Sequence, residues 1–177
     1  MKVLRIISII RYDWPLHFSL LLTNWLPDNV PFLRLRGFIA GLFLGSCGGD
    51  LRLGRNVTFY NPGQVHVRRH VYLAQGCWIM AAAPIRIGDE VVCGPYCVIA
   101  SANHSRKHGS YRYGTPHTAA VDVGRGCWLA AHVVVTAGST IGDGTLVAAG
   151  AVVVQDLPGN VLCAGMPAKS IRAINDD

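Results

Sequence analysis

Val123-Gly124-Arg125-Gly126-Cys127-Trp128, Leu129-Ala130-Ala131-His132-Val133-Val134 and Val135-Thr136-Ala137-Gly138-Ser139-Thr140 are consecutive hexads that each open on an apolar residue and carry a small one at the fifth place. The beat continues at Ile141, Val147 and Val153. Upstream it runs through Cys47, Leu53, Phe59, Val67, Leu73, Ile79, Ile87, Cys93 and Ile99. Every start is apolar, and most are followed directly by Gly or Ala. A fixed short period of this kind marks a β-helix, whose units bury their apolar side chain only by stacking on their neighbours. Small residues suit the tight corners, and Gly accepts their backbone angles.

Taken three at a time, the hexads make triangular coils, about five in all, and expose where the rhythm slips. Val65-His66 is an insertion between two coils, and Ile85-Arg86 repeats it one coil later. A third irregularity falls at the same place in the next coil, after Ile99-Ala100-Ser101-Ala102-Asn103-His104, and the beat returns only at Val123. All three are expected on one edge of the prism. Residues 105–122 match one coil in length, but their would-be starts Ser105, Tyr111 and His117 are not apolar, and Arg106, Lys107, Gly109, Arg112, Gly114 and Pro116 crowd the stretch. It reads as an extruded loop, and long loops in compact domains are commonly functional.

With 177 residues, 51% of them hydrophobic, the chain has material for one main domain and a short appendage. The fold class is all-β, with a β-helix domain at 47–158 and a C-terminal tail at 159–177. Of the six cysteines, Cys77, Cys97 and Cys127 fall on the small-residue slot and Cys93 on the apolar slot, which makes them reduced packing residues of a cytosolic protein. No cysteine pair has zinc-ligand spacing, and no metal is expected. The net charge of +6 suits an anionic ligand or an anionic lipid surface. No nucleic-acid motif accompanies it, so no nucleic acid is expected.

Residues 1–46 lack the hexad. Ile6–Ile10 is flanked by Arg5 and Arg11, an apolar run follows from Trp14 to Pro27, and Arg34 and Arg36 precede Gly37–Gly45. No run reaches the roughly 20 residues that span a bilayer, and the first is too short for a cleavable signal. Asp13 is placed to cap a helix starting near Trp14, with Trp14 and Trp25 bracketing its apolar body as interfacial anchors do. Two uses stay open: peripheral contact with a membrane, and cover for the open end of the prism or a neighbouring subunit.

Residues 47–172 resemble the hexapeptide-repeat acyltransferases, in particular the galactoside and maltose O-acetyltransferases and the colanic-acid-type sugar acetyltransferases of exopolysaccharide clusters. The residues that carry the resemblance are the hexads, His104 heading an extruded loop, Trp128 opening the next coil, Val147-Ala148-Ala149-Gly150-Ala151, and Ala164-Gly165-Met166-Pro167-Ala168-Lys169. It implies a left-handed parallel β-helix, an exception to the right-handed crossover rule. It further implies a homotrimer, with acetyl-CoA lying between subunits. It implies a catalytic role for His104, cofactor contacts from Trp128, Ala131, Ala149, Lys169 and Arg172, and acceptor contacts from Asn103 and Tyr72.

The chemistry fits these residue types. A neutral hydroxyl attacking a thioester must lose its proton as the C–O bond forms, and an imidazole with a pKa near ~6.5 is matched to that task. A corner N–H, by analogy that of Ala131, can stabilise the oxyanion or hold the cofactor. Cations such as Lys169 and Arg172 suit phosphates. The expected activity is direct O-acetylation of a small or lipid-linked saccharide for a surface polysaccharide, in the cytoplasm or at the inner face of its membrane. Ala74 and Ala81-Ala82-Ala83 stand where galactoside acetyltransferases carry polar residues, which argues against a galactoside or maltose acceptor. Rival readings are N-acyl transfer to an amino sugar, a γ-carbonic-anhydrase-like metal enzyme using His104 and His108 with His66 or His70, and a non-catalytic β-helix scaffold.

Overall fold

The computed structural model describes residues 6–175; residues 1–5 of the N-terminal segment and 176–177 of the tail lie outside it. From Ser46 onward the chain winds a left-handed parallel β-helix. Its first face stacks the strands Ser46–Cys47, Val65–Val67, Ile85–Ile87, Val121–Val123 and Thr140–Ile141. The second stacks Arg52–Leu53, Tyr72–Leu73, Val92–Cys93, Trp128–Leu129, Leu146–Val147 and Val161–Ala164, with Lys169–Ala173 added antiparallel. The third stacks Thr58–Tyr60, Trp78–Met80, Val98–Ala100, Val134–Val135 and Val152–Val153. Five coils describe the third face, while the first adds a parallel bridge between Ile141 and Leu157. The second face carries a further parallel rung at Val161–Ala164, so the prism continues beyond residue 158 into the segment read as tail.

The hexad explains this winding residue by residue. Each start points inward, so that Leu53, Leu73, Cys93, Leu129, Val147 and Cys163 stack inside one face and Ile79, Ile99, Val135 and Val153 inside another, all fully buried. The residue after a start faces the backbone of the next coil. A Cβ on Gly94 would stand 2.7 Å from the Ala131 nitrogen, and one on Gly142 would stand 2.4 Å from that of Gly159. The cysteines sit within this ladder as free thiols. Cys97 Sγ donates to Ala130 O at 3.0 Å and Cys127 Sγ to Gly142 O at 3.1 Å. Burial raises the pKa of Cys93, Cys127 and Cys163, which keeps these thiols protonated and inert.

The slips fall on one edge, between the third and first faces, but the extra residues are distributed differently from the sequence reading. Val65 and His66 are strand residues, in register with Ile85 and Arg86, and those with Val121 and Asp122. The widened corners lie just before them, at residues 61–64 and 81–84. A period locates the coil that holds an insertion, not the place within the corner that absorbs it.

Two helices close the first coil. A π-helical turn, Ile9–Asp13, runs into α1, Trp14–Thr23, and α2 spans Val30–Gly41. Corner N–H groups of later coils donate to the coil before, as Gly76 does to Arg55 O and Ala81 to Tyr60 O. The first coil has no such coil before it, so Asn56 N–H donates to Asn24 Oδ1 (3.1 Å), Asn61 N–H to Asp13 Oδ1 (3.3 Å) and Arg55 N–H to Asp28 Oδ1 (3.1 Å). Asp13 therefore caps the prism rather than α1, where its backbone is already helical and its side chain makes no cap bond. Arg36 fastens the cap: fully buried, it pairs with Asp28 and donates to Leu53 O (2.9 Å), Thr23 O (3.3 Å) and Leu26 O (3.2 Å). No helix among the described residues is long and apolar enough to cross a membrane.

Candidate active site

At the third slip the chain leaves the prism as a hairpin arm. Ala102–Asn103 pairs antiparallel with His117–Thr118, setting Asn103 opposite His117, and the tip turns through His108 and Gly109, both at positive φ, between Lys107 and Ser110. Lys107 and Ser110 exchange backbone bonds of 2.8 and 3.0 Å. The arm is thus ordered rather than a loose excursion. It rejoins the prism earlier than residue 122, because Val121 is already in register with Ile85.

Its root is held by Ser101, a residue the sequence reading passed over. The fully buried Ser101 hydroxyl donates to Ala83 O (2.8 Å) and accepts from Ala83 N–H (2.9 Å), while Ser101 O accepts from Ala119 N–H (3.1 Å). The available signal was a hydroxyl in a slot that holds Ala81 one coil earlier. His104 follows the Asn103–His117 pair directly and is exposed, with its ring free of hydrogen bonds among the described residues.

The remaining candidates lie elsewhere on the prism. Trp128 and Tyr72 both face outward from the second face, with Val92 between them, in a ladder that continues through Leu146 and Leu162 to Arg172. Trp128 is half exposed. Lys169 and Arg172 stand on the antiparallel last strand, three strand spacings or roughly 14 Å beyond Trp128 in the case of Arg172. Ala131 and Ala149 are corner residues stacked on the edge between the second and third faces, where Gly150 N–H donates to Ala131 O at 2.9 Å. The neighbours of Ala131 spend their N–H groups on Val147 O and Pro95 O, but its own donates to nothing among the described residues.

One chain therefore gathers Trp128, Ala131, Ala149, Lys169 and Arg172 on one side and Asn103 and His104 on another. The whole third face, roughly six residues or on the order of 20 Å of extended chain, separates Ala131 from the arm. His108 sits in the turn at the arm's tip, and His66 and His70 lie on other parts of the prism. Among the described residues no group of three or more His, Cys, Asp or Glu converges as a metal site would require.

No family model matches the chain. It is 31% identical over 148 residues to an Escherichia coli (strain K12) protein provisionally named a colanic acid biosynthesis acetyltransferase, covering 84% of this chain and 79% of that one. It is 32% identical over 120 residues to the galactoside O-acetyltransferase of the same strain, covering 68% of this chain and 59% of that protein's length. The solved structure of a galactoside acetyltransferase in complex with coenzyme A superposes with a TM-score of 0.81 at 27% identity, covering 91% of this chain and 80% of the other. The chain belongs to the hexapeptide-repeat acetyltransferases. The repeat prism is thus the shared architecture of a family rather than a feature of this chain alone.

Proposed function

We propose that the protein is an acetyl-CoA-dependent O-acetyltransferase of a saccharide, working by direct transfer with His104 as general base. The observation that carries this reading is the division of the site between two edges. An exposed imidazole stands on one, and a tryptophan, an unused corner N–H and two cations line the other.

The site is completed by a second copy, whose arm brings His104 to this chain's Ala131 edge. Outward residues support the assembly. On the second face they include Tyr72, Val92, Trp128, Leu146 and Leu162, and on the third Tyr60, Trp78, Met80, Val98 and Val134. The first face presents Ser46, His66, Arg86, Asp122 and Thr140 instead. Apolar second and third faces meeting head to tail close into a ring, and the polar first face is left to water. In this reading the ring is a homotrimer with three sites.

In each site acetyl-CoA lies along the ladder. Its phosphates sit at Lys169 and Arg172, and its thioester lies near Trp128 and the Ala131 and Ala149 corners. The imidazole of His104 takes the hydroxyl proton as acceptor oxygen attacks the thioester carbon. The Ala131 N–H receives the developing oxyanion, the C–S bond breaks, and the proton passes to the departing thiolate. Asn103 and Tyr72 face the acceptor. The acceptor class is a saccharide of a surface polysaccharide, carried on a lipid at the cytoplasmic membrane face.

The test is acceptor-dependent release of CoA thiol across free, nucleotide-linked and lipid-linked saccharides. Release with a saccharide that disappears in His104→Ala supports the reading. Acceptor-independent thiol release, or none with any acceptor despite acetyl-CoA binding, overturns it.

A further inference from the structure

The helical cap has an unusual surface. Of its two faces, the one toward the prism buries Leu16, Leu20, Leu33 and Ala40. The other leaves Ile7, Ile10, Trp14, Phe18, Leu21, Leu22 and Trp25 from 56% to 77% uncovered, and α2 with its C-cap adds Leu35, Phe38 and Leu42. Their spacing of three and four residues makes a continuous outward stripe. A surface helix in water normally turns polar residues outward, and a helix apolar all round is normally buried. α1 is largely apolar on both sides with only one side covered.

The charges on the cap are sorted as well. Its two carboxylates turn toward the prism, Asp13 to Asn61 N–H and Asp28 to Arg36 and Arg55 N–H. Asp13 is partly desolvated there, which raises its pKa. Among the described residues the outward side carries Arg11, exposed beside Ile10 with its guanidinium over the Tyr12 ring, and no carboxylate turns to that side.

We propose that this outer face of the cap is a docking surface for an anionic lipid bilayer, with the helices lying in the interface and the prism standing away from it. Three observations select a bilayer over a second copy of the chain. Tryptophans bracket α1 at Trp14 and Trp25, where the interfacial zone favours amphipathic rings. Among the described residues Arg11, the exposed cation of the stripe, has no acidic side chain paired with it, which attracts anionic headgroups and repels an identical plate. The cap closes the end of the prism rather than a flank, so the apolar second and third faces remain available for subunit contact. The inference rests on the trimer proposed above for its strength: parallel prisms carry their plates on one common side, and linked plates bind far more tightly than one. The plate itself does not depend on the transfer chemistry.

Full-length protein is mixed with vesicles of phosphatidylcholine alone and of phosphatidylcholine with roughly one third phosphatidylglycerol, and the sedimenting fraction is measured. The wild type is expected to sediment with the anionic vesicles. The double variant Phe18→Glu, Leu22→Glu, at positions already exposed, loses partitioning by about 100-fold or more, as the removal of two buried apolar side chains requires. Arg11→Glu weakens binding to the anionic vesicles by about 30-fold, for two charge units near the surface, and leaves the neutral ones unchanged. Acetyl-CoA binding, measured by calorimetry in each variant, stays at the wild-type level and confirms the fold. Wild-type protein that remains in the supernatant with both vesicle types overturns the proposal. So does a mass in solution that halves in the double variant, because the plate is then covered by a second copy. Transfer to a water-soluble saccharide reports the enzymatic reading separately, so either idea can fail alone.

Discussion

Two edges of the same prism are made from the same hexads and do opposite things. On the edge between the second and third faces the corners stay tight, with the pairs Gly94-Pro95, Ala130-Ala131 and Ala148-Ala149 stacked coil on coil, and beside them the Tyr96 and His132 rings stack with centroids 5.3 Å apart. On the edge between the third and first faces the corner opens into an arm that carries His104. The first offers backbone donors at fixed positions, and the second offers a side chain on a projecting hairpin. Oxyanion stabilisation requires rigid donors, whereas a base must be brought to its substrate. A repeat protein can supply both only by treating its edges differently.

The largest effect expected from breaking this division is at His104. His104→Ala should lower kcat by roughly 10²–10⁴-fold, the contribution of a positioned base, while acetyl-CoA affinity by calorimetry stays near the wild-type value. A variant that keeps most of its turnover would place the base elsewhere.

The tight edge can be broken just as cleanly. One coil below Ala131 the same corner slot holds Pro95, so the backbone already accepts proline there, and Ala131→Pro removes the N–H with little strain. A fall of about 10²-fold in kcat is expected, toward the low end for losing one oxyanion donor. Mixing the two inactive variants sharpens the comparison. If the edges of different chains meet, refolded mixtures of His104→Ala and Ala131→Pro recover activity, because some sites receive both intact halves. Mixtures as inactive as their parents would put both halves of the site in one chain.

How much of this was legible beforehand follows from the physics of each part. The prism was readable because burial forces every hexad start inward, so Leu73, Ile79 and Ile87 announce their own positions. The exit at His104 was readable from the loss of that constraint. The pairing inside the arm was not, since Asn103, His117 and Thr118 are polar and exposed and leave no alternation to read. Asp13 was assigned to the helix it precedes because local capping is the commonest use of such a residue. Its actual partner, Asn61 N–H, is orphaned only because no coil precedes the first, a fact of three-dimensional stacking. Ser101 was missed because it stands at the third place of its hexad, where the pattern makes no demand. Its importance lies in the carbonyls it reaches.

The cap offers a smaller test, directed at stability. Arg36→Met keeps the volume of the stem but leaves Asp28 without its buried partner and the carbonyls of Thr23, Leu26 and Leu53 without their donor. Breaking a buried pair in this way costs about 3 kcal/mol. Denaturant unfolding followed by far-UV circular dichroism should show that loss, with the helices melting before the prism. A midpoint unchanged from wild type would mean that the packing of α1 and α2 alone holds the cap.

The mildest effect is one of pH. Asp50, at the corner where α2 meets the first coil, faces His70 Nδ1 at 3.0 Å and accepts from Arg34 Nε, on α2, at 3.0 Å. The hydrogen bond with His70, the largest influence, together with the charges of Arg34 and Arg52 holds its carboxyl below the usual carboxylate range, against desolvation, which acts the other way. A depressed folded-state value means that the charged form is favoured by folding. The tie is therefore fully present above the unfolded value of about 3.9 and is lost as pH falls through the lower folded one. Hydrogen exchange of the α2 amides should thus be insensitive to this carboxylate near neutral pH and accelerate only in acid below about pH 4, and Asp50→Asn should remove that acid step. If the acid step survives in Asp50→Asn, the acid-labile attachment of α2 does not run through Asp50.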